Sequence, residues 1–177
     1  ILADLAPAVE TEVTLEVLSP MGGRGLVIEQ GDRGSHLKAA QDKNDKTYQY
    51  YQSAFEKTWD LIIVQDYHES TARGQEYGGD GFAEKVMKPA LEWLRDAAKG
   101  AKIAWFADWA DGSRDDLDET YQQSVAAMVA VSAMEDGPDF IIPASTVLQN
   151  ARTSFLGTTH NAEGTFAGYT GQFTIDF

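Results

Sequence analysis

The sequence contains no cysteine, which excludes a disulfide framework and any metal site built on thiolates. Histidine is also scarce. His36, His68 and His160 are the whole set, and none lies four residues from another typical metal ligand on a predicted helix. A helical zinc site requires paired ligands at that spacing. We therefore predict no metal and no cofactor, and each histidine taken alone is more often a surface or structural residue than a catalytic one.

Long apolar runs are missing too, since none approaches the roughly 18–20 residues of a membrane-spanning helix. Positive charge is in short supply: 14 Lys and Arg stand against 28 Asp and Glu, which gives a formal net charge of −14. A surface of that sign repels phosphate backbones and anionic lipids. We therefore expect neither a nucleic acid nor a membrane as a partner, and the simplest interpretation of the acidity is a solvated surface.

The remaining composition fits one globular domain covering residues 1–177, because 43% of the residues are hydrophobic and 24% are charged. The ends are unusual. The chain begins at Ile1 without a Met or a signal peptide, and it closes with a strand-like alternation over 172–177. We interpret it as a piece of a longer chain or a processed one. The sequence leaves the oligomeric state and the compartment open, with a slight preference for a secreted or periplasmic protein.

The chain is organised around the stretch 59–68, in which the apolar run Leu61-Ile62-Ile63-Val64 is followed at once by a polar cluster. A continuous apolar run of this length that stops at polar residues is typical of a strand buried on both faces in a parallel sheet. Gln65, Asp66 and His68 come at its end. In open α/β sheets ligands bind beyond the carboxyl ends of the strands, so these residues are predicted to line a binding edge. An amide that ends a buried strand also needs hydrogen-bonding partners, which makes Gln65 the most informative of the three.

Helical and strand patterns alternate along the chain, which predicts α/β architecture with a mostly parallel sheet and helices on both faces. We expect strands over 13–18, 59–65, 101–106 and 139–143. We expect one or two helices over 35–57 and further helices over 82–99, 117–129 and 146–152.

Groups able to form hydrogen bonds, or backbone able to approach a ligand closely, follow every predicted strand. They are Gly22 and Gly23, Gln65 and Asp66, Asp108 and Trp109, and Ser145 with Asn150 and Arg152. Simpler roles exist for some of them: Asp108 suits a turn, and Arg152 suits the charge at the end of a helix or an ion pair. No nucleophile is visible, because a Gly-x-Ser-x-Gly turn is absent and helix capping explains Ser145.

These motifs together resemble the SGNH (GDSL-like) hydrolase superfamily, and within it a poorly characterised bacterial branch. The resemblance covers most of residues 12–157, and its long last motif is the most specific. The matching segments are Gly22-Gly23-Arg24-Gly25-Leu26, Tyr48-Gln49-Tyr50-Tyr51, Trp59 to Gln65, Trp109-Ala110, Ile141-Ile142-Pro143, and Gln149 to Gly157.

The resemblance implies a flavodoxin-like, three-layer α/β/α sandwich and hydrolysis of a small-molecule or carbohydrate ester. The superfamily uses a serine activated by a histidine, and donors that stabilise the oxyanion of the acyl-transfer intermediate. By this comparison Gly22 or Gly23 and Gln65 are oxyanion donors. Asp66, His68, Asp108, Trp109, Asn150 and Arg152 are then candidates for binding substrate.

Two parts of the family pattern are missing. The early serine turn would precede Ile1, and the late Asp-x-x-His motif does not occur. His160 is the candidate base within the chain, but Gly157 stands where the motif has Asp. The resemblance therefore implies an esterase whose nucleophile and base lie outside these residues, with a domain incomplete at both ends.

A catalytically inactive carbohydrate-binding or interaction module with the same fold is the alternative. Its sugar would stack on aromatic rings. Trp105, Trp109, Tyr67 and Tyr77 are the candidates, although core packing is the simpler role for Trp105. If the first strand and the last helix of the domain are absent, we also expect an exposed sheet edge and exposed apolar surface.

Overall fold

A computed structural model of the chain describes residues 13–16, 24–29, 34–66, 80–107 and 117–153, and the account below concerns these residues. Its elements are α1 (His36–Gln41), α2 (Tyr48–Phe55), β1 (Leu61–Val64), α3 (Asp80–Phe82), a π-helical segment (Ala83–Met87), α4 (Lys88–Ala97), β2 (Lys102–Phe106), α5 (Leu117–Ser132), β3 (Phe140–Ile142) and α6 (Ala144–Thr153). The fold is therefore mixed α/β.

The three strands form a parallel sheet in the order β1-β2-β3, as the alternation of helix and strand patterns predicts. Leu61 pairs with Lys102 and Val64 with Trp105, and Trp105 pairs in turn with Ile141. Parallel neighbours need crossover connections. The helical stretch from α3 to α4 connects β1 to β2, and α5 connects β2 to β3.

The helical stretch over 80–97 owes its position to one apolar face. Val86, Ala90 and Leu94 recur at a spacing of four and are buried against the sheet. The stretch begins as α-helix, widens into the π-helical segment and continues as α4 with a proline in its first turn. It ends before Gly100, whose φ of +90° only glycine adopts easily. The predicted helix and its end are confirmed.

The core lies on one face of the sheet. Val64, Ile103 and Trp105 point to that face and pack against the helical stretch over 80–97 and against α5. Trp105 is completely buried, and its ring stacks on Phe82 with 5.1 Å between centroids. Core packing is therefore the role of Trp105. Its proposed place in a sugar-stacking rim is wrong, because a ring with no exposed surface cannot contact a ligand.

The opposite face of the sheet is only partly covered. Leu61 and Ile63 are each 41% exposed, and Phe140 is 55% exposed. The prediction that β1 is buried on both faces is therefore wrong: its residues alternate between the core face and an open face. Within the described residues β1 and β3 are the outer strands of the sheet, and the expected exposed apolar surface is present on its open face.

Helices α1 and α2 form a second, smaller cluster, which confirms the prediction of one or two helices over 35–57. Ala39, Ala40 and Tyr51 are buried in it. Phe55 and Trp93 join this cluster to the main core, with their rings edge to face and 5.7 Å between centroids. Both helices are thus fixed to α4 and, through it, to the sheet.

Two further features are the first predicted strand and membrane-spanning helices. The described part of the first predicted strand, residues 13–16, forms no strand. No helix in the described ranges is long and apolar enough to cross a membrane.

Candidate functional site at the carboxyl edge of the sheet

The carboxyl end of β1 is joined to the loop that follows the glycine turn. Asp66 is 4% exposed, and its Oδ1 accepts a hydrogen bond from the backbone N–H of Leu26 at 2.7 Å. A hydrogen bond to a carboxylate is short and strong, and burial makes its loss costly. The segment just after Gly22-Gly23 is therefore bound to the strand end that carries Gln65, forty positions away in sequence.

The same loop supports the start of α1. The carbonyls of Gly25 and Leu26 accept hydrogen bonds from the backbone N–H groups of His36 and Leu37, at 2.9 and 3.0 Å. The first N–H groups of a helix have no partner within it, so these carbonyls satisfy two of them. The Leu26 side chain is buried in the main core. The loop is held by α1, by the core and by Asp66.

Arg24 adds a fourth attachment on the polar side. Its guanidinium donates to Asp45 Oδ2 at 3.1 Å and to Thr47 Oγ1 at 3.3 Å. The Arg24 side chain is only 11% exposed, so the ion pair is partly shielded from solvent. Hydrogen bonds from the hydroxyl and N–H of Thr47, followed by the charge of Arg24, lower the pKa of Asp45.

His36 and Tyr51 complete this polar group, which we call the Arg24 network (Arg24, His36, Asp45, Thr47 and Tyr51). His36 Nδ1 lies 2.6 Å from the Tyr51 hydroxyl oxygen. Burial, and secondarily the charge of Arg24, lowers the pKa of His36 to about 4. Burial raises the pKa of Tyr51 to about 12. Both groups are therefore neutral at pH 7.

Because both groups are neutral, a single proton lies between them. Either the Tyr51 hydroxyl donates to His36 Nδ1, or the Nδ1–H donates to the hydroxyl oxygen, according to the histidine tautomer. A neutral histidine used in this way holds two helices together and is unsuited to be a general base at neutral pH.

The carboxyl ends of β2 and β3 meet at the same edge. The Ala107 N–H donates to the Ile142 carbonyl at 2.9 Å, and the Ser145 N–H donates to the Ala107 carbonyl at 3.2 Å. Ser145 is buried, and its oxygen accepts a hydrogen bond from the Ser124 hydroxyl at 3.0 Å. Ser145 lies within the first turn of α6, which begins at Ala144, so the prediction that it caps the helix is wrong.

The structure places four of the ten predicted site residues. Gln65 is exposed at the end of β1, so solvent can supply the hydrogen-bonding partners that its amide needs. Asp66 lies beside it and is buried. Asn150 is exposed on α6, and Arg152 belongs to the last turn of that helix. Gln65 and Asp66 are the two that are brought to the glycine loop.

The other six lie outside the described residues: Gly22, Gly23, His68, Asp108, Trp109 and His160. Tyr67 and Tyr77 of the alternative sugar-stacking rim lie outside them as well. Within the ranges that are described, no group of three His, Asp or Glu side chains is placed to hold a metal ion.

The sequence reasoning missed the Arg24 network and the contact between Leu26 and Asp66. Two of the motifs did contain the necessary residues. Arg24 stands inside the glycine loop, and Tyr51 closes the Tyr-x-Tyr-Tyr motif. Nothing in the spacing of either motif indicates that they meet, because the contact depends on how α2 packs.

The chain is similar to a solved protein, which is described as a DUF4886 family protein from Bacteroides uniformis. The two chains are 23% identical and superpose with a TM-score of 0.48. The similarity covers 65% of this chain and 46% of the other, so this chain spans less than half of that protein's length. No protein-family model matches the chain, and no curated protein matches it.

Proposed function

We propose that this chain is part of an SGNH-type serine esterase with a three-layer α/β/α fold, which acts on an ester such as an acylated carbohydrate. The nucleophilic serine and the basic histidine belong to segments outside residues 1–177. One observation carries the proposal: the hydrogen bond from the Leu26 N–H to Asp66 Oδ1 brings the glycine loop to the end of β1 beside Gln65.

The part of the loop that the structure describes, residues 24–29, is bonded through the Leu26 N–H to the residue next to Gln65. This contact at the carboxyl edge of the sheet supports the pairing of the glycine turn and the amide in one oxyanion site that the resemblance implies.

The chemistry available at this edge is acyl transfer. When a serine oxygen attacks an ester carbonyl, negative charge collects on the carbonyl oxygen, and preorganised N–H donors stabilise it. The Gln65 carboxamide and the backbone N–H groups of the glycine turn are donors of this kind. The Gln65 side chain is exposed and makes no hydrogen bond to another described residue, so it is accessible to a substrate.

The test uses the full-length protein that contains these residues and p-nitrophenyl acetate as substrate. We expect hydrolysis that is abolished when the serine of a Gly-x-Ser turn upstream of Ile1 is changed to Ala. In Gln65→Ala we expect kcat to fall about 10²–10³-fold, the usual cost of one oxyanion donor. The matched control is Gln49→Ala, an exposed glutamine on α2.

Two outcomes would remove the proposal. One is full-length protein without such a serine turn or without an Asp-x-x-His motif downstream of Phe177. The other is a Gln65→Ala variant as active as Gln49→Ala. Sugar binding without any turnover by the full-length protein would instead favour the non-catalytic module, whose stacking surface would rest on Tyr67, Tyr77 and Trp109.

A further inference from the structure

We propose that Asp66 is a positioning residue, which fixes the loop after the glycine turn against the carboxyl end of β1 and so sets the distance between the turn and Gln65. The catalytic part of this inference rests on the esterase proposed above. The anchoring part rests only on the contact between Asp66 and Leu26. The resemblance makes Asp66 a candidate for binding substrate, and the geometry points to a different role.

The surroundings of the Asp66 carboxylate leave little room for a substrate. Asp66 is 4% exposed, whereas the adjacent Gln65 is exposed. A group that binds substrate must present an atom to solvent before substrate arrives, and Asp66 has almost no surface for this. Its Oδ1 is already engaged with the Leu26 N–H at 2.7 Å.

A buried negative charge directed at the developing oxyanion would raise the energy of the intermediate, because like charges repel strongly where water is excluded. The hydrogen bond to the Leu26 N–H does not remove the charge of the carboxylate. Asp66 is therefore better suited to holding the loop than to contacting the reacting carbonyl.

Several contacts hold the loop, and they differ in what they connect it to. The loop is also held by Arg24, by the Leu26 side chain and by the start of α1, but each of these connects it to α1, α2 or the core. Among the hydrogen bonds of the described residues, the one to Asp66 ties the loop to the end of β1. Asp66 and Gln65 are neighbours in sequence, so this bond relates the loop directly to the amide.

The experiment compares three variants in the full-length protein. Asp66→Ala removes the acceptor, and Asp66→Asn keeps an oxygen in the same place without the charge. The matched control is Asp139→Ala, because Asp139 also accepts a backbone N–H, that of Ile103 at 2.9 Å, but before β3 at the opposite edge of the sheet. Exchange of the Leu26 amide hydrogen and hydrolysis of p-nitrophenyl acetate are measured for each.

We expect Asp66→Ala to speed Leu26 exchange about tenfold, as the loss of one hydrogen bond does. We expect its kcat to fall about 10–100-fold with little change in KM, since misplaced donors weaken the transition state more than binding. Asp66→Asn should retain most of both properties, and Asp139→Ala should leave both unchanged.

Unchanged Leu26 exchange in Asp66→Ala overturns the inference. So does a Leu26 amide that stays protected while Asp66→Asn loses as much kcat as Asp66→Ala, because a direct role of the charge on substrate would then be established. If Asp66→Ala does not fold, Asp66→Asn decides between these outcomes alone. Wild-type protein that hydrolyses no ester, but whose Leu26 exchange depends on Asp66, overturns the esterase and the catalytic role while leaving the anchor in place.

Discussion

Two aspartates at opposite edges of the sheet perform the same local task in different surroundings. At the carboxyl edge, Asp66 accepts the Leu26 N–H and is buried. At the amino edge, Asp139 accepts the Ile103 N–H and also pairs with Lys102 Nζ at 2.7 Å, but its side chain is 27% exposed. The Lys102 hydrogen bond, and then that of Ile103, lowers the pKa of Asp139.

The two carboxylates differ in how easily water can replace their protein partners. A carboxylate near water can exchange its protein partners for solvent, so its bonds contribute little to stability. A buried carboxylate has no such substitute. We therefore expect the stability of the protein to depend on the polar contact at the carboxyl edge and to depend little on the one at the amino edge. The same difference holds between the Arg24 network and the exposed pair of Lys38 with Glu29.

We expect the largest difference between the two edges in how the free energy of unfolding changes as the pH falls. The pKa of His36 is about 4 in the folded protein and 6.5 in the unfolded chain, so the unfolded chain takes up the proton first. Stability from this group is fully present above about pH 6.5 and is lost as the pH falls toward 4. The shift corresponds to about 3 kcal/mol. The contribution of Asp139, whose pKa is lowered, is lost only as the pH falls below its ordinary value of 3.8.

The measurement is the free energy of unfolding in urea between pH 7.5 and pH 4. We expect wild-type protein to lose stability across this range and His36→Gln to lose much less, because glutamine does not titrate. A variant whose stability falls as steeply as that of the wild type would show that other groups cause the acid sensitivity. The carboxyl edge would then have no special dependence on a neutral His36.

Removing each aspartate in turn is the direct form of the comparison. Asp66→Ala leaves the Leu26 N–H buried without its acceptor, and we expect it to lower the free energy of unfolding by about 2 kcal/mol. Asp139→Ala should cost less than about 1 kcal/mol, as exposed ion pairs usually do. The urea midpoints are compared at pH 7.5, and the slopes should stay equal. Equal losses for the two variants would contradict the distinction between the edges.

Much of the fold can be read from periodicity, because periodicity records which face of an element is buried. Val86, Ala90 and Leu94 predict the long helix, and the apolar run around Ile103 and Trp105 predicts a buried strand. The same rule fails for β1. Leu61 and Ile63 are apolar, as the residues of a strand covered on both faces are. Whether a second layer covers them depends on the rest of the protein.

The polar contacts of the site could not be predicted in this way. The hydrogen bond between Leu26 and Asp66 joins residues forty positions apart. Its donor is a backbone N–H, which every residue except proline has, so the residue type does not indicate which residue donates. The exposure of Gln65 could not be predicted either, because it depends on how far β1 is covered by the rest of the protein. The placement of Gln65 and Asp66 at a strand end did follow from the sequence, since it requires only that the strand stops where the apolar run stops.

The smallest effect we predict concerns the pair of Tyr51 and His36, which tests whether the Arg24 network acts as one unit at the carboxyl edge. Tyr51→Phe removes the hydroxyl that is hydrogen-bonded to His36 Nδ1. The ring stays, and with it the packing against Phe55 and Trp93. The lost hydrogen bond should lower the free energy of unfolding by about 1 kcal/mol at pH 7.5, measured from urea unfolding.

The matched control is Tyr50→Phe on the same helix, because Tyr50 is 51% exposed and its hydroxyl can bond to water. We expect that change to have almost no effect. If both variants lower the free energy of unfolding by the same small amount, the hydrogen bond of the buried pair contributes no more to stability than a hydrogen bond to water. Asp66 would then be left as the polar contact on which the loop depends, and the contrast between the two edges would narrow to a single carboxylate.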